Sequence, residues 1–277
     1  MKTEALAAVA AMAIMSAAAS AASSEIRVDM KLDASDFVSG ERIRCVIDVA
    51  NSSPDEIAIG EKDSKDRLFV EVFKSGDMSR LERIDAKPFT AAFRLKTGEG
   101  QKLEAFLGDR YALRETRRYL AKPVLVHGGM RFEGAPRAFD VVDGVRLSNA
   151  MQMFANRKGL RRDFDVVYWS RSRAEHAFLK VRDSGASSRQ WETRDLGPIL
   201  RLDKPSVSIL GTGEVVVLHR LNQDQFIRNE FWSLPDALEF RRRETVQDPE
   251  TAGTARVREL YKEGGVKPKV NPWWKFW

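Results

Sequence analysis

The sequence predicts an all-β protein in two successive parts, on three observations. Apolar and polar residues alternate in short stretches, as in Ile26, Val28, Met30 and Leu32 against Arg27, Asp29, Lys31 and Asp33, the period-two signature of a half-buried strand. Clusters of Gly, Pro, Asn, Asp and Ser, such as Ser39-Gly40 and Asn51-Ser52-Ser53-Pro54-Asp55, separate these stretches and supply the turns. Composition shifts at Gly144, beyond which all six tryptophans lie. A chain of 277 residues has room for about two domains.

The chain begins with a targeting pattern. Met1-Lys2 is a short basic start and Ala5–Ala19 an alanine-rich apolar run. Small residues at Ala19-Ser20-Ala21 suit cleavage. Residues 1–22 are expected to be an export signal, which places the mature product in the periplasm or outside the cell.

The stretch Arg42–Ser53, RIRCVIDVANSS, carries the most information about the first part. Ile43, Cys45, Ile47 and Val49 share one face, and Arg44, Val46, Asp48 and Ala50 the other. The phrase Gly40-Glu41-Arg42-Ile43, followed by Val49-Ala50-Asn51-Ser52-Ser53, resembles the second strand of bacterial immunoglobulin-like β-sandwich domains. The resemblance covers the first half of the mature chain and implies an immunoglobulin-like sandwich over residues 23–143. It implies no activity. In that family the second-strand cysteine pairs with one that follows a corner tyrosine by two residues. The corresponding tyrosine here would be Tyr119, and two residues later stands Ala121. Cys45, the chain's single cysteine, is therefore read as a buried small hydrophobe.

Further strands are expected at Glu56–Ile59, Arg67–Phe73, Phe89–Lys96, Leu103–Leu107, Tyr119–Val126 and Ala138–Val142. Residues 144–247 are expected to form a second antiparallel β unit, a sandwich or a small barrel. Its clearest feature is the hairpin at 206–221, turning through Gly211-Thr212-Gly213. Strands are also expected at Phe164–Trp169, Ala177–Arg182, Gln190–Arg194, Ile199–Leu202 and Phe226–Trp232. Val145–Phe154 and Leu238–Thr245 are compatible with strand or short helix, and Asn156–Arg162 reads as a basic loop. The tail, 248–277, holds a candidate helix at Thr254–Glu263 and ends in Pro-Trp-Trp-Lys-Phe-Trp.

The formal net charge is +6. The excess falls mainly in 144–247, where arginine far outnumbers lysine, a bias that suits bidentate contact with carboxylate or phosphate. The three histidines, His127, His176 and His219, show no metal-ligand spacing, and no Cys-x-x-Cys, phosphate loop or nucleophile elbow occurs. His127-Gly128-Gly129 reads as a turn after a strand. Asp163 and Asp165 read as a solvent-facing pair on one strand. Glu175-His176 reads as an exposed loop pair.

Two features rise above this background. One is arginine interleaved with tryptophan in the second part: Arg161, Arg162, Trp169, Arg171, Arg173, Arg189, Trp191, Arg194 and the run Arg241-Arg242-Arg243. The other is the tail, where Trp273, Trp274, Phe276 and Trp277 would anchor in a partner's groove, lie at a membrane interface or fold back. The expectation is an exported, non-catalytic binding or scaffold protein. It would need no cofactor and would contact an envelope protein or an anionic glycan rather than nucleic acid. Its candidate partner-binding residues are Arg241, Arg242, Arg243, Trp273, Trp274, Phe276 and Trp277. A polysaccharide hydrolase and a protease-inhibitor-like sandwich are the alternatives.

Overall fold

The structure is a computed structural model that describes residues 26–60, 64–155, 159–171, 174–185, 191–211 and 213–247. Among them the chain is all β, apart from one 3-10 turn at Leu107–Asp109. The strands are β1 (Ile26–Leu32), β2 (Asp36–Val38), β3 (Arg44–Asn51), β4 (Ile57–Ile59), β5 (Arg67–Lys74), β6 (Phe93–Leu95), β7 (Gly100–Phe106), β8 (Arg117–His127), β9 (Met130–Glu133) and β10 (Arg137–Val142). There follow β11 (Val145–Met153), β12 (Arg161–Arg171), β13 (Ala174–Ser184), β14 (Trp191–Pro198), β15 (Ser206–Ile209), β16 (Glu214–Arg220), β17 (Phe226–Leu234) and β18 (Ala237–Val246).

Two compact units share the chain, and they interleave. The first takes the residues through Asp33, then Ile43–Ala112 and Tyr119–Ala138. The second takes Ala34–Arg42, Leu113–Arg118 and everything from Phe139. The sequence suggests a single cut at Gly144. Instead two short segments of the first half group with the second unit. The three-residue strand β2 pairs in parallel with the end of β10, Phe37 opposite Val141. A strand that short leaves no alternation to read.

In the first unit, β1, β3 and β7 form an antiparallel sheet, with Met30 opposite Ile47 and Cys45 opposite Ala105. Cys45, Ile47 and Val49 are buried while Arg44, Val46 and Asp48 are half-exposed, as the period-two pattern requires. Burial pushes the Cys45 thiol up to about 12, so it is an inert core group. The Asn-Ser-Ser turn closes β3 by saturating one side chain. Asn51 Nδ2 donates to the carbonyls of Asp55 (2.8 Å) and Leu95 (3.0 Å), and its Oδ1 accepts from Ser53 N (3.0 Å) and Ser53 Oγ (2.6 Å). A buried amide that meets all its partners fixes the local fold.

The same unit holds the antiparallel run β5–β8–β9 and the β4–β6 ribbon. Gly128 and Gly129, at φ 57° and 82°, form the two-residue turn of the β8–β9 hairpin. Two successive positive φ values are what a primed hairpin turn demands. Phe89–Lys96 is expected as one strand, yet only Phe93–Leu95 pairs; Phe89 is buried within a loop.

The second unit is a sandwich of two four-stranded meanders, β11–β12–β13–β14 and β15–β16–β17–β18. Phe164, Val166, Leu179, Val181 and Leu196 of one sheet pack with Val215, Val217, Phe231 and Leu238 of the other. Val145–Phe154 and Leu238–Thr245 thereby resolve as strand. Ile199–Leu202 does not, because Ile199 N bonds Glu175 O and Leu200 N bonds Arg220 O outside any ladder. The outer face of β12 and β13 is covered by the 34–42 segment. Val38 packs with Val167 and Phe178, Trp169 Nε1 donates to Asp36 Oδ2 at 2.6 Å, and Arg171 forks onto Glu41 at 2.9 and 2.6 Å.

The packing of the second unit corrects two expectations. Asp165 is not solvent-facing: it is 6% exposed, with Arg182 at 2.9 Å and Arg146 at 3.6 Å, while Asp163 is half-buried and paired with Arg161 at 2.6 Å. Arg162, assigned to a basic loop, lies in β12 and is wholly buried. Its guanidinium grips Asp183 at 2.6 and 3.0 Å, Ser233 Oγ, and the carbonyls of Leu234, Pro235 and Ala237. It thereby holds the β17–β18 turn. The candidate helix at Thr254–Glu263 lies outside the described residues.

Candidate partner-binding edge

β18 ends the second sheet, so the outer side of its ten-residue backbone carries no paired strand among the described residues. Such an edge offers unpaired donors and acceptors to another chain. The three arginines of the run lie on it and are used differently. Arg242 forks onto Glu230 at 2.9 and 2.8 Å and reaches Glu244 at 3.4 Å. Glu230 is 2% exposed, and its hydrogen bonds hold the Arg242 guanidinium above its ordinary value. Arg243 donates to Asn229 Oδ1 at 2.8 Å and to the Asp195 carbonyl at 2.7 Å. Arg241 instead stacks on the Trp232 ring, 4.8 Å from its centroid.

Arg242 and Arg243 are therefore committed to their own unit, and Arg241 stays at the surface with an aromatic partner. A register shift between Glu230 and Phe231 makes the difference. This bulge breaks the alternation of the arginine run, so Arg242 faces Glu230 and Arg243 faces Asn229. Exposed apolar residues gather at the same end: Trp232, Leu234 and Phe240, the last 51% exposed and edge-on to Phe231 at 5.6 Å. Sequence reasoning picked the arginines and missed Phe240 and Trp232. The signal was there, since Trp232 and Phe240 stand in the two strands that flank the Pro235-Asp236 turn of a hairpin.

Most other charged candidates are answered inside the unit. Arg194 pairs with Glu192 at 3.0 Å, Arg201 with Glu175 at 2.6 Å, and His176 with Asp195 at 3.1 Å. His219 is buried, and burial lowers it to about 4 against the pull of the Pro198 carbonyl. Arg173 and Arg189 lie outside the described residues, as do Trp273, Trp274, Phe276 and Trp277, and Trp191 is placed only as part of β14. No group of three or more His, Cys, Asp or Glu among the described residues is arranged to hold a metal ion.

No family model matches the chain, and no curated protein matches it. Among solved structures, the chain is similar to the sporulation control protein Spo0M from Bacillus subtilis at 11% identity and TM-score 0.30, over 86% of this chain and 97% of that one. It is also similar to a chain of the CsuC–CsuE chaperone–tip adhesion subunit complex of Acinetobacter baumannii at 11% identity and TM-score 0.24, over 73% and 97%. Neither likeness identifies a function.

Proposed function

We propose that this is an exported, non-catalytic binding or scaffold protein of the cell envelope, whose second unit presents the β18 edge to a partner. The observation that supports this most is the exposed Trp232–Arg241 stack on that edge, together with the exposed Phe240 of the same strand. Exposed aromatics next to an arginine are the residue types that dominate binding hot spots, and the pair suits an acidic protein or an anionic glycan. The first unit acts as a spacer and is read as immunoglobulin-like, on the strength of its Gly-Glu-x-Ile…Asn-Ser-Ser phrase and its paired antiparallel sheets.

The test is affinity capture from an envelope extract, comparing the full chain, the Phe240→Ser/Arg241→Ser variant and a chain ended at Gly265. Loss of the captured partner in the double variant alone supports the edge. Capture that depends only on the tail moves the contact to Trp273–Trp277. Equal capture by all three forms overturns the reading.

A further inference from the structure

Two methionines stand two positions apart on β11: Met151 and Met153, 50% and 60% exposed. From Ser148 to Met153 the strand runs against β12 without a register shift. Ala150 lies opposite Phe164, Met151 opposite Asp163, Gln152 opposite Arg162 and Met153 opposite Arg161. Phe164 and Arg162 are wholly buried. Ala150 and Gln152 therefore share the covered side of the sheet, and Met151 and Met153 share the other.

That placement reverses the ordinary one. An antiparallel sheet with one solvated face puts polar residues on it and apolar residues beneath. Here Gln152 takes the covered side and two thioethers face solvent, so burial of apolar surface does not account for them. Side chains at i and i+2 of a strand rise from points about 7 Å apart. Methionine is unbranched and freely rotating, so both sulfurs can reach one atom lying between them. Their cross-strand neighbours, Arg161 and Asp163, are bonded to each other at 2.6 and 2.8 Å, an ion pair that is neutral overall.

We infer that Met151 and Met153 chelate one soft monovalent cation of the Cu(I) class. Thioether sulfur is a neutral, polarisable ligand that suits Cu(I), whereas hard divalent cations take oxygen ligands. Once one sulfur holds the ion, the second binds it within the same molecule, which raises affinity about 10²-fold over a lone thioether. Met78 and Met130 supply the comparison inside the same chain. They are 56% and 62% exposed, and neither has a methionine two positions away.

Methyl NMR of the full chain, labelled at its methionine methyls, tests this with silver nitrate as the redox-stable stand-in for Cu(I). The Met151 and Met153 methyls should shift together and saturate at one ion per pair. They should do so at a silver concentration about 10²-fold below that which moves Met78 or Met130. Leucine conserves volume at these exposed positions. Met151→Leu should weaken binding at Met153 about 10²-fold, to the level of the lone residues, and Met153→Leu should do the same at Met151. Zinc(II) at the same concentrations should move neither methyl. Amide spectra report that each variant is folded. The assignment is overturned if the pair responds no earlier than Met78 and Met130, if either variant leaves the remaining methionine's affinity unchanged, or if zinc binds as tightly as silver.

Discussion

At the scale of single residues, the second unit places two ionisable groups where water cannot reach them, and they behave oppositely. His219 is lowered to about 4 from an ordinary 6.5, chiefly by burial. The unfolded chain therefore takes up this proton first as pH falls. His219 makes its full contribution above about pH 6.5, and the contribution is lost as pH drops towards 4. The size of the loss is about 3 kcal/mol. Urea midpoints of the natural chain at pH 7 and pH 4.5 should differ by more than those of His219→Phe, and equal differences would refute the assignment. Arg162 is charged and fully satisfied. Removing it takes the guanidinium from the buried Asp183 carboxylate, so Arg162→Met should cost about 3–5 kcal/mol. The joint change Arg162→Met/Asp183→Leu should recover part of that loss in the same denaturation assay. Neither residue could be recognised in the sequence, where His219 is a lone histidine in a hairpin and Arg162 one of many arginines. Which charges are buried depends on what the other sheet and the 34–42 segment lay over them, and period two says nothing of that.

At the scale of elements, legibility followed the agreement of alternation with turn chemistry. β1, β3, β5, β8, β12 and β17 are long enough for alternation and turn chemistry to agree, and they stand within a few residues of where the pattern puts them. β2 and β9, three and four residues long, were not legible, and Phe89–Lys96 alternates without pairing along most of its length. The candidate edge was legible in part: the arginine run marks β18, but the bulge that assigns each arginine its face leaves no trace in composition. The β8–β9 turn gives a clean test of backbone chemistry. A Cβ at Gly129 would meet nothing within 4 Å, so Gly129→Val should act through its positive φ alone. The expected cost is about 1–2 kcal/mol, read as a shift in thermal midpoint. A neutral result would mean that the hairpin can adopt another turn.

At the scale of the whole molecule, the interleaving of the units decides what can be cut away. Residues 144–247 look like a separate domain in composition. Yet the outer face of β12 and β13 depends on Val38, Asp36 and Glu41. Expressed alone, 144–247 should expose Val167, Phe178 and Trp169. It should bind a hydrophobic dye and lose near-ultraviolet circular dichroism while keeping its strand content. A well-dispersed spectrum from that fragment would show that the 34–42 segment is dispensable.

The arrangement also has a history within each molecule. Thr193 Oγ1 donates to the Ser39 carbonyl across 154 positions of chain. During synthesis at about 5–20 residues per second, such a gap takes on the order of ten to thirty seconds to fill. Through that interval the nine residues 34–42 are tethered at both ends, by β1 and β3, in a sheet that can already close. They wait as a loop for a surface that has not yet been made.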